Sequence, residues 1–294
     1  MHNPTELAAA LGQAVGRRLE PMPGARVHGG SINECRRWQS DSGPIFVKVA
    51  PASRLAMFEA EAAGLEELHR AQAVRVPRVL GIARTASEVA LALEWIQLGA
   101  VCRESEVTFG EQLAAQHRVR AASFGWHRDN TIGSTPQPNG WCDDWVSFLR
   151  ERRLRPQLDL ARVNGFEGEL QQRGRALLAV LDRFFTRPPE PSLLHGDLWG
   201  GNWGVDERGA AVIFDPAVYF GDRLADMAMT RLFGGFGARF YAAYHASWPL
   251  PPDAETRIVL YNLYHVLNHL NLFGGAYLAQ ALGSIERLLT ESGA

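Results

Sequence analysis

The chain has 294 residues, of which 46% are hydrophobic and 21% are charged, the balance of a soluble globular protein. Its formal net charge of −2 offers no basic field to nucleic acid or to an anionic membrane surface. The three cysteines lie far apart and form neither a zinc pattern nor a disulfide framework. No apolar run is long enough for a membrane span, and the first residues lack the regions of a signal peptide. We therefore expect a cytoplasmic protein that partners with neither nucleic acid nor membrane.

The first third of the chain predicts a small sheet with one main helix. A short helix from Thr5 to about Arg18 comes first, because its apolar residues fall on one stripe. A second helix is expected from about Arg54 to His69. Short apolar segments, separated by turn residues, predict strands at 25–28, 34–39, 45–49 and 89–95. We assign residues 1–96 to an N-lobe on this basis.

From about residue 97 the pattern changes to helices. A capping-box pattern at Thr108–Glu111 predicts that the first of them begins near residue 109. The helices are expected at 109–121, 143–154, 168–186, 222–232, 236–246 and 253–289, the last broken near Gly274-Gly275. A long polar loop is expected at 125–140 and a β-like segment at 203–214. The predicted fold class is α+β, with a β-rich N-lobe and a larger, mostly helical C-lobe over residues 97–294.

The strongest chemical signal is the segment His195-Gly196-Asp197-Leu198-Trp199-Gly200-Gly201-Asn202. Its form, H-x-D-x-x-x-x-N, is the catalytic-loop pattern of phosphotransferases of the kinase type. In this chemistry Asp197 accepts the proton of the attacking hydroxyl group. Asn202 offers its side-chain oxygen to Mg²⁺. The pattern therefore predicts an enzyme that uses ATP and Mg²⁺.

Asp215 is the second predicted metal ligand. Asp206-Glu207-Arg208-Gly209 has the composition of a tight turn, and pairing Asp206 with Gly209 places Asn202 opposite Ile213. Asn202 and Asp215 then lie at the open end of one hairpin, separated by roughly 7 Å along the strands. One hydrated Mg²⁺ held by two side chains fits such a gap.

Lys48 and Glu61 form the next candidate pair. The strand period places Lys48 on the same face as Phe46. On the helix at 54–69, Glu61 falls inside the apolar stripe and Glu59 falls outside it. A carboxylate on a buried face needs a cationic partner, so we expect a Lys48–Glu61 ion pair that holds the lysine on the nucleotide phosphates.

Two further segments are predicted to contact the nucleotide. Backbone N–H groups between the first two strands could cover the phosphates, at Gly29, Gly30, Ser31, Ile32 and Asn33. The backbone that follows the buried strand at 89–95 could pair with the adenine edge, at Glu94, Trp95 and Ile96.

Over nearly its whole length the sequence resembles the fructosamine (ketosamine) kinases, which are similar in fold to aminoglycoside and choline kinases. The catalytic segment above carries part of this resemblance. The remainder lies in Gly30–Glu34, Phe46–Val49, Met57–Ala62, Asp129–Gly133, Pro136–Asn139, Asp215–Asp222 and Leu263–Asn271. The resemblance implies a bilobal protein-kinase-like fold. It also implies that Asp226 supports the backbone of the catalytic loop.

The same resemblance implies the substrate. Family members phosphorylate the sugar of ketoamines, the adducts of sugars with amines, typically at the 3-hydroxyl, and the phosphorylated adduct then releases the amine. Trp199 matches a position expected against the sugar. Asp129, His265 and Asn268 supply polar partners for its hydroxyl groups.

Two alternatives remain open. Another small alcohol, such as an aminoglycoside, choline or a hydroxy amino acid, would use the same catalytic residues. A non-catalytic nucleotide-binding module is disfavoured because Lys48, Glu61, Asp197, Asn202 and Asp215 are all present. The sequence does not decide between a free and a protein-bound ketoamine, and it does not define the oligomeric state.

Overall fold

The computed structural model describes residues 4–20 and 34–293. The predicted strand at 25–28 and the predicted phosphate loop at 29–33 lie outside these ranges. The chain divides into two compact units, one of Met1–Ser105 with Gly201–Pro216 and one of Glu106–Gly200 with Ala217–Ala294. The segment 201–216 therefore groups by its contacts with the N-terminal part of the chain, although it lies within the predicted C-lobe of residues 97–294, and the lobe boundary stays a prediction.

The first unit is built on an antiparallel five-stranded sheet of order β1-β2-β3-β5-β4. Its strands are β1 (Leu19–Glu20), β2 (Glu34–Ser40), β3 (Gly43–Pro51), β4 (Val79–Arg84) and β5 (Glu88–Glu94). The sequence predicted β2, β3 and β5 to within two residues at each end. It did not predict β4, where Gly81 and an irregularity in register between Val79 and Gly81 break the usual alternation.

Two helices accompany this sheet, α1 (Pro4–Val15) and α2 (Leu55–Ala71). Leu7 and Leu11 of α1 are buried in a core cluster with Trp38 of β2 and with apolar residues of β3 and β5. Gln72 caps the C-terminal end of α2, with a left-handed φ of 50° and an N–H that donates to the His69 carbonyl. Both helices confirm the sequence prediction to within three residues.

The segment 201–216 carries a short hairpin of β9 (Trp203–Val205) and β10 (Ala211–Ile213). The predicted register is wrong by one residue, because Ile213 pairs with Trp203. The turn is longer than expected: the Asp206 N–H donates to Ala210 O at 2.9 Å, which leaves three residues in the loop. Gly209 takes a left-handed φ of 87° there, as three-residue hairpin loops require.

The second unit is mostly helical. Its helices are α3 (Arg103–His117, which begins at the end of the first unit), α4 (Trp145–Phe148), α5 (Arg155–Val163), α6 (Glu169–Ala179), α7 (Leu224–Leu232), α8 (Ala238–Ser247), α9 (Ala254–Phe273) and α10 (Leu278–Ser292). Helix α3 begins six residues earlier than the capping-box pattern indicated. Near its start, Ser105 Oγ accepts the Cys102 N–H at 3.0 Å and donates to the Cys102 carbonyl.

The expected break in the last helix is confirmed at Gly274, which has a φ of 89°. The predicted helix at 143–154 is instead α4 followed by a π-helical turn, Leu149–Leu154, that leads into α5. Pro156 lies in the first turn of α5 and has no N–H to donate to a carbonyl of the preceding π-helical turn. Within the described part of the chain, no helix is long and apolar enough to cross a bilayer.

Short strands complete the second unit. The expected polar loop at 125–140 contains a small hairpin of β6 (Asn130–Ile132) and β7 (Thr135–Gln137). A second pair joins β8 (Ser192–Leu194), which leads directly into the catalytic segment, to β11 (Tyr219–Gly221). Strands of three residues are too short for a periodic pattern, which is why the sequence did not predict them.

Candidate active site

Lys48 lies between two carboxylates in the first unit. Its Nζ donates to Glu61 Oε1 and to Asp215 Oδ1, each at 2.6 Å, and the residue is only 3% exposed. Burial disfavours the ammonium form, but the charges of Asp215 and Glu61 raise the pKa of Lys48 above its usual range. The predicted Lys48–Glu61 pair is confirmed, and Asp215 is added to it.

Strand and helix periods bring these groups together. Lys48 pairs with Leu91 of β5 on one side and with Cys35 of β2 on the other, so it lies in the middle of the sheet. Burial raises the pKa of the Cys35 thiol to about 11, which keeps it protonated at neutral pH.

Lys48 is also the only lysine in the 294-residue sequence, and the other residues among its 30 lysines and arginines are all arginine. A compact ammonium group fits between two carboxylates where a broad guanidinium would not.

Asn202 and Asp215 flank the hairpin β9–β10. The Asn202 carbonyl accepts the Phe214 N–H at 3.1 Å, which brings the two ends of the hairpin together. Asp215 adopts a left-handed φ of 58°, a strained conformation for a residue with a side chain. Amide and carboxylate oxygens are the ligands that Mg²⁺ prefers, so the donor set fits this ion. The described residues contain no group of three His, Cys, Asp or Glu that could hold a metal. Nucleotide phosphates and water would therefore have to complete the coordination.

The adenine-edge segment begins at the end of β5. The Glu94 N–H donates to Arg78 O at 2.8 Å, and the Glu94 carboxylate accepts from the side chains of Arg75 and Arg78. Arg37 lies over the Trp95 ring, with its Cζ 5.0 Å from the centroid. The side chains of Glu94 and Trp95 are thus occupied within the unit, so the predicted adenine contact would have to come from the backbone.

The predicted catalytic loop in the second unit is held by Asp226 of α7. The backbone N–H groups of His195 and Gly196 donate to the Asp226 carboxylate at 2.7 and 2.9 Å, and His117 Nε2 lies 3.1 Å from the same group. Burial disfavours the charged form, but these contacts hold the pKa of Asp226 below its usual range. Asp226 therefore supports the loop backbone in the way that the resemblance implied.

Gly196 fixes the shape of this loop. It has a φ of 84°, and a Cβ at this position would lie 2.0 Å from the Ala217 carbonyl oxygen. The Ala217 N–H in turn donates to His195 O at 2.8 Å. Any larger residue would push the loop from its place beside Ala217, and with it the following Asp197.

Trp199 follows in the same loop. Its N–H donates to Asp197 O at 3.1 Å, and its side chain is 39% exposed. The next residue, Gly200, packs so closely against Gly234 and Gly235 that a Cβ would lie 2.8 Å from the Gly234 oxygen. An exposed indole on a tightly packed loop is available to a flat ligand.

The remaining predicted substrate residues differ in exposure. Asp129 is exposed, and its Oδ1 accepts the Asn139 N–H at 2.7 Å. His265 and Asn268 of α9 are 4% and 3% exposed, and Asn268 bonds Gln157 and the Ile132 carbonyl inside the unit. Burial lowers the pKa of His265 to about 3, so it is neutral at physiological pH.

Arg153 is a residue that the sequence did not identify. It lies on the π-helical turn and is 1% exposed. It donates to the Pro138 carbonyl at 2.6 Å and to Asn139 Oδ1 at 2.7 Å, and its guanidinium lies 4.1 Å from the Tyr219 ring centroid. The guanidinium thus holds the segment that bonds Asp129. Only the irregular helix turn brings Arg153 there, and no local pattern predicts that turn.

Solved structures first define the class of protein. A ternary complex of a thermostable aminoglycoside phosphotransferase mutant with AMP-PNP and hygromycin B matches 99% of this chain at a TM-score of 0.61 and 17% identity, which shows a shared fold. The chain thus has the protein-kinase-like phosphotransferase fold.

The family follows from the sequence comparisons. The family model for fructosamine kinase matches residues 4–291, and the chain belongs to the fructosamine kinase family. It is therefore an ATP-dependent kinase.

Named relatives share most of its length. A Synechocystis protein named as a ketoamine kinase is 42% identical over 284 residues, which cover 96% of each chain. A chloroplastic protein-ribulosamine 3-kinase of Arabidopsis thaliana is 41% identical, with 90% of this chain and 81% of that protein covered. A fructosamine-3-kinase structure from Thermobifida fusca is 33% identical, with a TM-score of 0.87 over 98% of this chain and 100% of that one.

Proposed function

We propose that this kinase phosphorylates the sugar hydroxyl of ketoamines, at O3 of ribulosamine or fructosamine adducts, and thereby promotes release of the amine. The names of the Synechocystis and Arabidopsis relatives, each about 40% identical over most of the chain, support the substrate class. The observation that carries the reaction type is the cluster of Glu61 and Asp215 around the buried Lys48 ammonium group, an arrangement suited to nucleotide phosphates and their metal.

Each unit contributes a different part of the proposed chemistry. Lys48 holds the phosphates, and Asn202 with Asp215 would hold Mg²⁺, which neutralises charge that develops on the transferred phosphoryl group. The backbone at 94–96 pairs with the adenine edge. Asp197 takes the proton from the attacking hydroxyl group as the bond to phosphorus forms.

The acceptor side is assigned to the second unit. The exposed Trp199 would offer an apolar platform to the C–H face of the sugar, and the exposed Asp129 would accept a hydrogen bond from a hydroxyl group or pair with the substrate ammonium. Because His265 and Asn268 are buried, we assign neither to direct contact with the acceptor; Asn268 instead joins α9 to β6 through the Ile132 carbonyl.

The main alternative acceptor is another small alcohol. An aminoglycoside carries several ammonium groups and favours a cluster of carboxylates, and choline favours an aromatic cage. The loop at 125–140 contains one acidic residue, Asp129, and the helix segment at 263–271 contains none. The residue types therefore favour an uncharged polyhydroxyl group with one amine.

The test is phosphorylation of ribulose-lysine and fructose-lysine, free and within a peptide, alongside choline and an aminoglycoside. We expect ATP- and Mg²⁺-dependent gain of one phosphate on the ketoamine by mass spectrometry, followed by release of the amine. Turnover of choline or the aminoglycoside without turnover of either ketoamine would overturn the substrate while leaving the kinase in place. A cytoplasmic location also stays a proposal, which cell fractionation would test.

A further inference from the structure

Arg75 lies between α2 and β4, and the proposed mechanism does not use it. Its side chain is 36% exposed, yet its Nη2 donates to Glu94 Oε1 at 2.9 Å and its Nη1 donates to Asp206 Oδ2. Its carbonyl accepts the Ile213 N–H at 3.0 Å. One residue thus contacts the end of β5 and two points of the hairpin β9–β10.

The surroundings of Asp206 stabilise the negative charge that pairs with the Arg75 guanidinium. It is 4% exposed, and its Oδ1 accepts the N–H groups of Arg208 and Ala210, both at 2.9 Å. Burial disfavours its charge, but those N–H groups and Arg75 hold the pKa of Asp206 below its usual range. The hairpin turn therefore carries a buried negative charge that Arg75 partners, so loss of Arg75 should disturb the whole turn.

The chain after Glu94 follows the same hairpin. Leu98 forms a β-bridge with Asp206, and the Gly99 N–H donates to Val205 O at 2.7 Å. The segment predicted to face the adenine edge therefore begins at Glu94, one of the two carboxylates that Arg75 bonds. The chain then passes Asp206, the other carboxylate. The predicted metal ligands Asn202 and Asp215 flank this hairpin.

We infer that Arg75 is a positioning residue for Mg-ATP. By joining Glu94 to Asp206 it sets the place of the metal-binding hairpin relative to the segment that receives the base. The inference rests on the proposed nucleotide role of the first unit, but not on the identity of the acceptor. Arg75 also lines a surface pocket of about 380 Å³, so its replacement does not require repacking of a core.

Arg78 provides a matched control. It too donates to Glu94, from Nε to Oε2 at 3.4 Å, but it is 65% exposed and its described bonds do not reach the hairpin. Arg75→Gln and Arg78→Gln therefore each remove one cation from Glu94. Only Arg75→Gln also removes a contact to Asp206.

The experiment measures the ATP KM, the half-saturating Mg²⁺ concentration and the ketoamine KM, together with calorimetric binding of AMP-PNP and Mg²⁺. For Arg75→Gln we expect both nucleotide and metal constants to rise about tenfold, the scale of one charge-assisted hydrogen bond, with the ketoamine KM within about twofold. Arg78→Gln should change all three by less than about twofold. Arg75→Lys should restore part of the loss.

Asp206→Asn provides a second, independent test of the same contact. The double variant Arg75→Gln/Asp206→Asn should raise the nucleotide and metal constants little more than either single variant does, because both changes remove one interaction. Equal effects of Arg75→Gln and Arg78→Gln, or a lowered melting temperature with unchanged nucleotide and metal constants, would overturn the inference. If Arg75→Gln does not fold, the ATP KM and the half-saturating Mg²⁺ concentration of Asp206→Asn and Arg75→Lys test the inference instead. Calorimetry remains decisive even if no ketoamine is phosphorylated.

A second inference follows from lysine usage. Lys48 is the only side-chain amine of the 294 residues, and it is 3% exposed between two carboxylates. Glycation of a lysine requires a neutral amine that attacks the sugar carbonyl, loses water to form an imine and rearranges to a ketoamine. We infer that the side chains of this protein resist formation of the adducts on which the proposed function acts, because the one lysine is not available to a sugar.

Incubation with ribose tests this directly. Wild type should gain no pentose adduct on Lys48 by peptide mass mapping and should keep at least about 90% of its activity, since a buried, ion-paired ammonium is a poor nucleophile. Arg70→Lys provides the positive control, because residue 70 is 66% exposed and should gain one adduct. A Lys48 adduct, or a loss of activity that bound nucleotide prevents, would overturn the inference. Later removal of the residue-70 adduct by ATP and Mg²⁺ tests the proposed function separately.

Discussion

In the first unit the Asp215 carboxylate is bonded by the Lys48 ammonium group, whereas in the second unit the loop that carries Asp197 is bonded through its backbone to Asp226. The first arrangement is ionic and can exchange partners when phosphates and a metal enter. The second fixes main-chain atoms beside a glycine that tolerates no Cβ. The charge that is proposed to rearrange and the loop that carries the proposed base, Asp197, therefore have different kinds of support.

This difference separates the expected effects of substitution. Changes in the Lys48 cluster should act on nucleotide and metal constants, because the charges there are poised for phosphates. Changes in the loop held by Asp226 should act on the chemical step or on the acceptor.

The largest expected effect is that of Asp197→Asn. The variant keeps the shape of the side chain and the Asp226 contacts to His195 and Gly196, so the fold and AMP-PNP binding should be unchanged. The proton of the attacking hydroxyl group loses its acceptor, and kcat should fall by at least ~10². Steady-state kinetics and calorimetry on the same preparation check both statements.

Asp159→Asn is the control, because this exposed carboxylate lies on α5 and should not affect kcat. A folded Asp197→Asn enzyme with wild-type kcat would show that the base lies elsewhere.

The Lys48 cluster should show the next largest effect. Lys48→Met and Glu61→Gln should each raise the ATP KM by about tenfold or more, because a lysine without Glu61 is no longer held toward the phosphates. Since the two residues act as one unit, the double variant should be about as impaired as the worse single one. Kinetics of the three variants give the coupling energy, and fully multiplicative losses would show that the two residues act independently.

The sequence predicted the Lys48–Glu61 pair because strand and helix periods are local properties. The position of Glu61 on the buried face of α2 follows from angles along one helix, and Lys48 follows from alternation along one strand. The hairpin register was wrong by one residue because it depends on whether Gly209 enters the left-handed region, which composition alone does not decide.

The long-range contacts could not be predicted from the sequence, for a different reason. Arg75 and Arg153 have no distinguishing neighbours in the chain, and their roles come from segments more than 10 residues away. The boundary between the units shows the same limit, since 201–216 joins the N-terminal part through contacts such as that of Arg75 with Ile213.

Trp199→Ala tests the proposed acceptor contact in the second unit. The exposed indole is proposed to contact the sugar, and loss of such a platform should raise the ketoamine KM by roughly tenfold, within the ~1–3 kcal/mol that a stacking contact contributes. The ATP KM should change by less than about twofold. Trp141→Ala is the control, since it removes an exposed indole (49%) of the second unit that is not proposed to contact the sugar. A larger effect on ATP than on the ketoamine would contradict the assignment of Trp199.

The smallest effect at neutral pH concerns His265, a neutral residue in the interior of the second unit. Its pKa is lowered to about 3 by burial, chiefly, and by the nearby His269, whereas an unfolded histidine has its pKa near 6.5. Between these values the unfolded chain binds a proton that the folded chain does not, so His265 lowers the free energy of unfolding as the pH falls. The slope is about 1.4 kcal/mol per pH unit across that window.

His265→Gln should therefore have a somewhat lower free energy of unfolding than wild type at pH 7.5, because packing is altered. Between pH 7.5 and pH 4.5, however, its free energy of unfolding should fall by less than that of wild type. Carboxylates such as Asp226 contribute to acid sensitivity equally in both proteins, so the difference between the two urea-unfolding curves isolates the histidine. Parallel loss of stability in wild type and His265→Gln would mean that the imidazole gains its proton without unfolding, and that this part of α9 is open to water.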